Sequence, residues 1–503
     1  IKYTADGYVY DTNPDKLIKL GFYCETDVDA ELEIDDATLP MPESEERYYR
    51  LTERINDRGV KVDVDLVKQL IWRANECLEA LNERLRYLTL GQITSLTQVS
   101  QIKDWIEEQT GIKLPSMRKE EMDAFFEDDG VYDFPKHVKE VIQIRREGAK
   151  ASVSKLTAIL KRVSKDGRIH GAFVFHGAST GRYTSMGVQL QNLVRDTLKD
   201  FENDILRLEH FTLTEISKTI RQCFIPAKGK VFIDVDYNAI EARGVGWLAG
   251  ARKLVNIYRN GGDPYCEMGT AIYGFKVTKA DEAERFVGKQ TILGCGYGMG
   301  WRKFLAQCEK FGQPVTEEMA QKAVATYREE FPEIPQLWRD MERACLSAIK
   351  HPGKIFSIPN GLVSFRVLDG WLRMKLPNGR CLFYCKPRII QEFKFDEWRD
   401  TISYMAEHPL TKQWVRETTW GGKLTENAVQ GLCRDLLFEA MDKLEINDIP
   451  IVLSVHDQVV CEVWKENAEE DKSLVKEIME EVPWWAQGFP ISAEPKIAQR
   501  FGK

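Results

Sequence analysis

The stretch that decides the fold is GKVFIDVDYNAIEARGVGWLAG, residues 229–250. From Val231 onward, every second side chain is apolar and faces one side of a predicted β-strand, whereas Asp234 and Asp236 face the other. Asp236 then lies at the end of the strand, just before a predicted helix. Rigid strand ends commonly present metal-binding carboxylates, although an isolated Asp in this position can equally cap the helix.

A second acid follows the same logic in PIVLSVHDQVVCEV, residues 450–463. Two β-rich runs meet at His456 and Asp457, which predicts a tight hairpin with the carboxylate at its tip. Two divalent ions about 3.5–4 Å apart need bridging carboxylates from separate rigid elements. We therefore expect Asp236 and Asp457 to converge on one cation site.

A cationic helix is predicted in ADEAERFVGKQTILGCGYGMG, residues 280–300. Arg285, Lys289, Leu293 and Tyr297 recur every four residues and so share one helix face. This face is cationic at one end and apolar or flat at the other. It can offer positive donors to a triphosphate and a packing surface to its base.

Further basic and amide side chains lie in STGRYTSMGVQLQNLVR and TIRQCFIP. They suit contacts to phosphates and to the minor-groove acceptors of DNA. These residues are Arg182, Gln191, Asn192, Arg195 and Arg221.

The composition is that of a large globular protein: 503 residues, of which 43% are hydrophobic and 29% charged. The net charge of −8 leaves nucleic-acid binding open, because phosphates are bound by a local basic surface. The eleven cysteines form no C-x-x-C pair, which disfavours a zinc site. The sequence contains no apolar run of membrane-spanning length and no signal peptide, so we expect a soluble, cytoplasmic protein of a bacterial or phage-infected cell. It begins with Ile rather than Met, which suggests that upstream sequence has been removed.

The chain divides by composition into several segments. Residues 25–46 are acidic and contain two prolines, which predicts a solvated linker. Residues 47–160 have mostly helical periodicity. The β-rich runs RIHGAFVFH, GKVFIDVDY, IPIVLSV and VVCEV predict a small sheet. A helix-rich insertion, residues 250–423, splits this sheet and contains one hairpin that turns at Asn378-Gly379.

These motifs resemble the A family of DNA polymerases, most closely its phage-type members. DVDYNAIEAR, RFVGKQTILGCGYG and LSVHDQVV are similar to the three main family motifs, and STGRYTS, QNLVR, IRQCFIP and GGKLTENAVQGLCRDLL match in order. The resemblance runs from about Arg47 to the C-terminus. It implies an α+β multidomain right-hand fold with a helical thumb, an antiparallel-sheet palm and helical fingers. The boundaries implied are 1–44 for an exonuclease remnant and acidic linker, 45–165 for the thumb, 166–250 and 424–503 for the palm, and 251–423 for the fingers.

The resemblance also implies a reaction, the addition of deoxynucleotides to a primer 3′-hydroxyl with release of pyrophosphate. Asp236 and Asp457 would bind two Mg²⁺ ions, for which Mn²⁺ can substitute. Arg285 and Lys289 would grip the triphosphate, and Lys289 would also protonate the pyrophosphate. The remaining contacts implied for the incoming nucleotide are Leu293, Tyr297, Tyr265 and the steric gate Glu241. Those implied for primer–template DNA are Arg182, Gln191, Asn192, Arg195, Arg221, Gln430 and His456.

Three residues depart from the family pattern. Leu293 replaces an aromatic residue, Gln458 replaces the Glu beside the catalytic Asp, and Tyr265 lies near a position that is His in bacterial members. These departures put dideoxynucleotide discrimination, metal handling and triphosphate binding in question.

The N-terminal segment holds one more resemblance. Tyr23 and Asp27 are similar to the last motif of a 3′-5′ exonuclease, although a polar helix would place any Tyr and Asp at this spacing. We expect that this chain alone does not proofread. A separate exonuclease, helicase or primase is a potential partner, and no membrane partner is expected.

Two other functions remain open from the sequence. A single-subunit RNA polymerase shares the palm and the cationic helix, but Glu241 and the thumb sequence favour DNA synthesis. A catalytically inactive DNA-binding scaffold would tolerate the loss of Asp236 or Asp457, and both acids are intact.

Overall fold

The computed structural model describes residues 2–4, 7–9, 12–38, 40–114, 117, 134–148, 152–394, 396–408 and 411–502. The chain forms two compact units, Ile1–Leu51 and Thr52–Lys503. Within the described residues, no helix is both long and apolar enough to cross a membrane.

The first unit contains a short antiparallel pair, β1 (Lys2–Thr4) and β2 (Gly7–Val9), helix α1 (Pro14–Ala37) and the start of α2 (Glu43–Arg58). Helix α1 begins where Asn13 accepts hydrogen bonds from the backbone of Asp15 and Lys16, with Pro14 at the first helical position. No residue of α1 is buried. The segment predicted to be a solvated linker, residues 25–46, is thus helical as far as Ala37 and exposed along that helix, because Glu, Ala and Leu favour helix even in an acidic segment.

A helical module opens the second unit, as the periodicity predicts. It comprises α3 (Val64–Leu88), α4 (Val99–Thr110), α5 (Lys136–Gly148) and α6 (Ser152–Arg162). Its core includes Leu85, Ile102, Trp105, Val138 and Val141. The apolar stripe of each helix is thus buried against its neighbours.

The central sheet has the strand order β14-β15-β7-β16 and is antiparallel throughout. Its strands are β7 (Lys230–Tyr237), β14 (Ile451–Val455), β15 (Gln458–Trp464) and β16 (Ala493–Ala498). The middle of β7 is buried on both faces. The sheet is split by the insertion, as predicted, but RIHGAFVFH does not belong to it.

That run instead forms two short strands in separate two-stranded sheets. β4 (Arg168–Ile169) pairs with β3 (Val60–Lys61), and β5 (Phe173–Val174) pairs with β6 (Thr184–Ser185). Gly171 lies between them with φ +61°, a conformation that ends an extended strand.

Helices occupy most of the remaining chain up to residue 350. They are α7 (Phe201–Asp204), α8 (Leu213–Thr219), α9 (Ile240–Ala249), α10 (Arg252–Arg259), α11 (Pro264–Tyr273), α12 (Glu282–Cys295), α13 (Trp301–Lys310), α14 (Glu317–Glu330) and α15 (Glu333–Lys350). Short 3-10 turns span Leu190–Asn192, Ile205–His210, Arg221–Cys223, Lys465–Asn467 and Trp484–Ala486.

A six-stranded antiparallel sheet follows, where the sequence indicated only one hairpin. Its order is β13-β12-β11-β10-β9-β8. The strands are β8 (Phe356–Ser357), β9 (Ser364–Leu368), β10 (Trp371–Lys375), β11 (Cys381–Lys394), β12 (Glu397–Glu407) and β13 (Trp414–Thr419). The predicted hairpin is present as β10 and β11, which are joined through Asn378 and Gly379.

Helix α16 (Gly421–Ile446) is buried along most of its length, and α17 (Ala468–Glu480) packs beside it. Arg434 of α16 has no exposed side-chain surface, donates to the carbonyl of Gly181 at 3.0 Å and pairs with Asp435 at 3.1 Å. Asp435 also accepts from Arg380 at 2.7 Å. This buried ion cluster fixes the loop just before Arg182.

Candidate active site

Asp236 and Asp457 lie at adjacent ends of the central sheet. Asp236 pairs in register with Gln458, the residue after Asp457, and the backbone N–H of Tyr237 donates to the carbonyl of Asp457 at 3.3 Å. His456, at the tip of the β14–β15 hairpin, has φ +58°, which makes the turn tight. The structure thus brings together the two acids that the sequence places 221 positions apart.

The two carboxylates line one cavity of about 150 Å³, here called the acid cavity. Arg195, Arg221, Val455 and Gln458 complete its lining. Burial and the charge of Asp236 raise the pKa of Asp457 to about 6, against the opposing charges of Arg195 and Arg182. The electrostatic repulsion between two carboxylates in such a confined space is reduced when a cation binds between them.

Asp234 is on the same strand as Asp236 but has a different environment. It is buried and accepts a hydrogen bond from the buried side-chain amide of Gln458. It is not among the residues that line the acid cavity. The structure therefore separates the two acids, which strand alternation alone places on one face.

Gln191 holds the hairpin that carries Asp457. Its amide nitrogen donates to the carbonyl of Ser454 at 2.8 Å, and its side-chain oxygen accepts from the backbone N–H of His456 at 2.8 Å. The His456 ring lies 3.1 Å from the Gln191 carbonyl oxygen. The neighbouring Asn192 is exposed, and its carbonyl accepts from Lys155.

Glu241 lies in the first turn of α9, between two donors. Arg182 donates to one of its carboxylate oxygens at 2.7 Å, and the Tyr297 hydroxyl donates to the other at 3.0 Å. Burial and the charge of Glu241 raise the pKa of Tyr297 well above its ordinary value, so this hydroxyl remains a donor. These three residues line a second cavity of about 310 Å³, the gate cavity, together with Leu293 and Asp457.

The face of α12 opens onto a larger cleft of about 820 Å³. Exposed Lys289 and Leu293, which is 41% exposed, line it. The helix ends at Cys295, so Tyr297 lies in the following turn rather than on the helix. Gly288 lets α12 approach α11, since a Cβ there would be 2.1 Å from the carbonyl oxygen of Tyr265.

Arg285 is held away from this cleft by an acid that the sequence analysis missed. It donates to Asp263 from Nε and Nη2, and its guanidinium lies 5.3 Å from the Tyr265 ring centroid. Asp263 also caps α11 and precedes Pro264, a helix-start signal that could have identified it. Burial acts to raise the pKa of Asp263, but the hydrogen bonds from Arg285 and the backbone outweigh this and lower it.

The other predicted DNA contacts are found at or near the three cavities. Arg195 is exposed and lines all three. Arg221 is buried, donates to the carbonyl of Leu193 at 3.2 Å and lies 5.0 Å from the Phe501 ring centroid. Gln430 donates to Glu426, a residue that lines the cleft.

The cleft also contains residues that the sequence analysis did not single out, namely Lys303, Trp420 and Lys423. Lys423 belongs to the GGKLTENAVQ segment, so the family resemblance could have identified it. In the first unit, Tyr23 and Asp27 are exposed on α1.

The helical module, the antiparallel sheet with its paired acids and the inserted segment beside them together define the class of right-hand polymerases. The POL domain of Pol1 from M. smegmatis, solved in complex with DNA primer-template and dNTP, has a similar fold, with a TM-score of 0.64 at 18% identity. The similarity covers 90% of this chain and 69% of that one.

Sequence comparison gives the family. The family description "DNA polymerase family A" matches residues 64–350. The DNA polymerase of Bacillus phage SP02 is 31% identical over 98% of this chain and 76% of its own length. The thermostable DNA polymerase I of Thermus filiformis is 25% identical over 87% of this chain, which spans 45% of that protein. The chain therefore belongs to DNA polymerase family A, which makes it a DNA-directed DNA polymerase.

These matches confirm the resemblance, the fold class and the enzyme class that the motifs predicted. Each of these relatives is a DNA polymerase, in agreement with the preference for DNA over RNA synthesis. Asp457 lies outside the matched range of residues 64–350, so its place beside Asp236 rests on the geometry of the sheet.

Proposed function

We propose that this chain adds deoxynucleotides to a primer 3′-hydroxyl in the order set by a template strand and releases pyrophosphate. One observation carries the proposal: Asp236 and Asp457 line the same cavity, and this cavity shares Arg195 and Asp457 with the gate cavity. Leu293 and Tyr297 in turn connect the gate cavity to the cleft that contains Lys289. The proposed sites for the metal ions, the sugar and the triphosphate would thus lie in three adjoining cavities: the acid cavity, the gate cavity and the cleft.

The donor set fits Mg²⁺, with Mn²⁺ as a substitute. Mg²⁺ prefers hard oxygen ligands and is commonly held by one or two carboxylates together with substrate phosphates and water. Asp236 and Asp457 supply two carboxylates, and the described residues contain no group of three or more His, Cys, Asp or Glu side chains that could hold a metal by themselves. When bound, two such ions would lower the pKa of the primer hydroxyl and neutralise charge on the triphosphate and the leaving pyrophosphate.

Lys289 would bind the triphosphate and donate a proton to the pyrophosphate. Its exposed position on the cleft supports this role, since a flexible ammonium can follow the charge that develops on the leaving oxygen. Arg285 would join it only after leaving Asp263. Leu293 would pack on the incoming base and sugar, and Tyr297 would guard the template position.

Glu241 would act as the steric gate. Arg182 and Tyr297 hold its carboxylate from both sides, so the side chain has a fixed position within the gate cavity. A rigid side chain can exclude the 2′-hydroxyl of a ribonucleotide at little entropic cost.

Primer–template DNA would cross the three cavities. Exposed Arg195 and Asn192 are suited to contact phosphates or bases directly, whereas Gln191 and buried Arg221 would act through the loops they hold. Gln430, His456 and Arg182 complete the proposed surface. The thumb would span residues 45–165, the palm 166–250 and 424–503, and the fingers 251–423.

We further propose that this chain does not remove mismatched primer termini by itself. Tyr23 and Asp27 are exposed on α1, and among the described residues Asp27 belongs to no group of three or more His, Cys, Asp or Glu side chains that could hold a metal. Incubation of pure protein with a mismatched primer–template and Mg²⁺, in the absence of dNTPs, tests this. Removal of the terminal nucleotide would contradict the proposal.

Primer extension with Mg²⁺ tests the polymerase proposal, with wild type compared to Asp457→Asn. We expect the variant to lose at least about a thousandfold in rate, because a strong electrostatic stabiliser is removed. Asp448→Asn is the matched control, since Asp448 is exposed in the turn before β14. Retention of primer–template binding by Asp457→Asn shows that the fold is intact. A rate within tenfold of wild type would overturn the assignment of Asp457.

A further inference from the structure

The six-stranded sheet has one covered face and one open face. Along β10, Leu372 and Met374 are buried, whereas Trp371, Arg373 and Lys375 are partly or fully exposed. The buried side chains face α15, which packs on β8, β9 and β11. The opposite face is here called the outer face. It is the side of the sheet on which Phe383 of β11 lies, opposite Arg373 of β10.

The outer face has aromatic side chains where an antiparallel sheet ordinarily presents polar ones to water. Trp371 is 39% exposed and Phe383 is 55% exposed. Their rings lie edge to face with centroids 6.4 Å apart, and the guanidinium of Arg373 lies 6.0 Å from the Phe383 ring centroid. Adjacent exposed aromatics with a neighbouring cation form a stacking surface.

The outer face also contains more bases than acids. Register places Arg366, Arg373, Lys375, Arg388, Arg399 and Arg416 on it, and the acids that it places there among the described residues are Glu392, Glu397 and Glu407. Arg366 and Arg373 are direct cross-strand partners. Like charges in this arrangement destabilise a sheet. Within the chain, Arg373 lies 3.5 Å from Asp369 and Arg366 donates to the carbonyl of Gly353, and the remaining excess of positive charge suits an anionic partner.

The sheet is attached to the site at two points. Strand β13 leads directly into Trp420, which lines the cleft beside Lys289. In the β10–β11 turn, Arg380 donates to Asp435 of α16 and to the carbonyl of Thr180, two residues before Arg182. The sheet is therefore joined both to the lining of the cleft and to the loop that carries Arg182.

We propose that the outer face binds single-stranded DNA, with bases stacked on Trp371 and Phe383 and phosphates paired with the surrounding cations. Single strands combine exposed base faces with a phosphate backbone, and proteins bind them with aromatic platforms in basic surroundings. Duplex DNA offers no free base faces to such a platform. If the chain is the polymerase proposed above, the strand is the 5′ template overhang that has not yet been copied.

Binding of the full chain to labelled primer–templates, in EDTA to prevent extension, tests this. The DNAs have a blunt end, a two-nucleotide overhang or a fifteen-nucleotide overhang, and a free fifteen-nucleotide strand completes the set. We expect Trp371→Ala/Phe383→Ala to weaken binding to the long overhang and the free strand by at least about tenfold. Binding to the short overhang and the blunt duplex stays at the wild-type level.

The matched control is Phe393→Ala/Trp398→Ala. This pair is also exposed, at 60% and 69%, with ring centroids 5.7 Å apart, but register places it on the opposite side of the same sheet. Its removal leaves all four affinities unchanged.

The charges are tested separately by salt dependence. Arg373→Gln/Lys375→Gln lowers the slope of log K against log salt by about 1.4 on the long overhang, at roughly 0.7 for each phosphate contact to a single strand. Lys322→Gln/Lys476→Gln, two exposed lysines on α14 and α17, leaves the slope unchanged.

Three results would overturn the proposal. If Trp371→Ala/Phe383→Ala binds the long overhang with wild-type affinity, the outer face does not bind single-stranded DNA and a protein partner would be the alternative. Equal loss on blunt duplex and long overhang would assign it to duplex DNA. A lower Tm with unchanged affinity of the folded protein would assign the aromatic pair to sheet stability. Because the assay needs no catalysis, failure of wild type to extend a primer would affect the proposed function and not this result.

Discussion

Arg285 donates two hydrogen bonds to a single oxygen of Asp263, at 2.9 Å from Nε and 2.8 Å from Nη2. The other oxygen of Asp263 caps α11 by accepting from the backbone N–H groups of Tyr265 and Cys266. One carboxylate therefore fixes the start of α11 and holds a cation of α12. An incoming triphosphate would have to compete with Asp263 for Arg285.

Asp263→Asn is expected to lower the KM for dNTP by about two- to fivefold, the range of a partly exposed ion pair. Asn retains an oxygen for the helix cap and removes only the charge that competes for Arg285. Steady-state kinetics over a dNTP series measure this, with Arg285→Ala/Asp263→Asn as the control in which the gain disappears. A KM raised by tenfold would mean that Asp263 orients Arg285 for the triphosphate instead.

Glu241→Ala is expected to lower the preference for dGTP over GTP opposite template C by at least about tenfold. Removal of the side chain opens space where a ribose 2′-hydroxyl would lie. Glu241→Gln keeps the volume and loses the charge, so it separates steric exclusion from the ion pair with Arg182. Ratios of kcat/KM for the two nucleotides give the answer. If Glu241→Gln lowers the preference for dGTP as much as Glu241→Ala does, the charge of Glu241 and not its volume determines the selection.

The motif-bearing parts of the fold were predictable because local pattern and tertiary role agree in them. Strand β7 alternates as its pairing requires, and the His456–Asp457 turn joins two β-rich runs. The six-stranded sheet was underestimated, because outward residues such as Arg373 and Glu407 give its strands a mixed composition inside a helical segment. Strand β16 contains Pro495, which argues against a strand in general but is tolerated here because β16 lies at the sheet edge.

The sequence indicated which side chains lie at or near the three cavities, but it did not indicate how they pair with one another. Helical spacing placed Arg285 on one face with Lys289. Only the fold shows that Arg285 forms an ion pair with Asp263, 22 residues earlier. Gln191 was predicted to contact DNA, which stays a prediction, and the fold adds hydrogen bonds between its side-chain amide and the hairpin that carries Asp457. Hydrophobic periodicity describes only neighbouring residues in the chain, so it cannot identify partners that are distant in sequence.

Gln191→Ala is expected to reduce kcat by about ten- to a hundredfold, because small displacements of reacting groups are costly. The hairpin loses its bonds at Ser454 and His456, so Asp457 is less well positioned. The Kd for primer–template, measured by anisotropy in EDTA, stays within about twofold. Asn192→Ala is the matched control on the next residue, where we expect the reverse pattern. A Kd for Gln191→Ala weakened tenfold at unchanged kcat would restore Gln191 as a DNA contact.

Gln458→Glu is expected to destabilise the fold by about 3 kcal/mol, the cost of an uncompensated buried charge. Gln458 and Asp234 are both buried and joined by a hydrogen bond, and two carboxylates there would repel each other. Urea denaturation in EDTA measures the free energy of unfolding.

Addition of Asp234→Asn to Gln458→Glu reverses the donor and the acceptor and should recover most of the loss, since one amide again faces one carboxylate. The single variant Asp234→Asn serves as the reference for this cycle. Additive losses in the double variant would show that the two side chains do not interact, and the hydrogen bond between them would then have no part in holding β15 against β7.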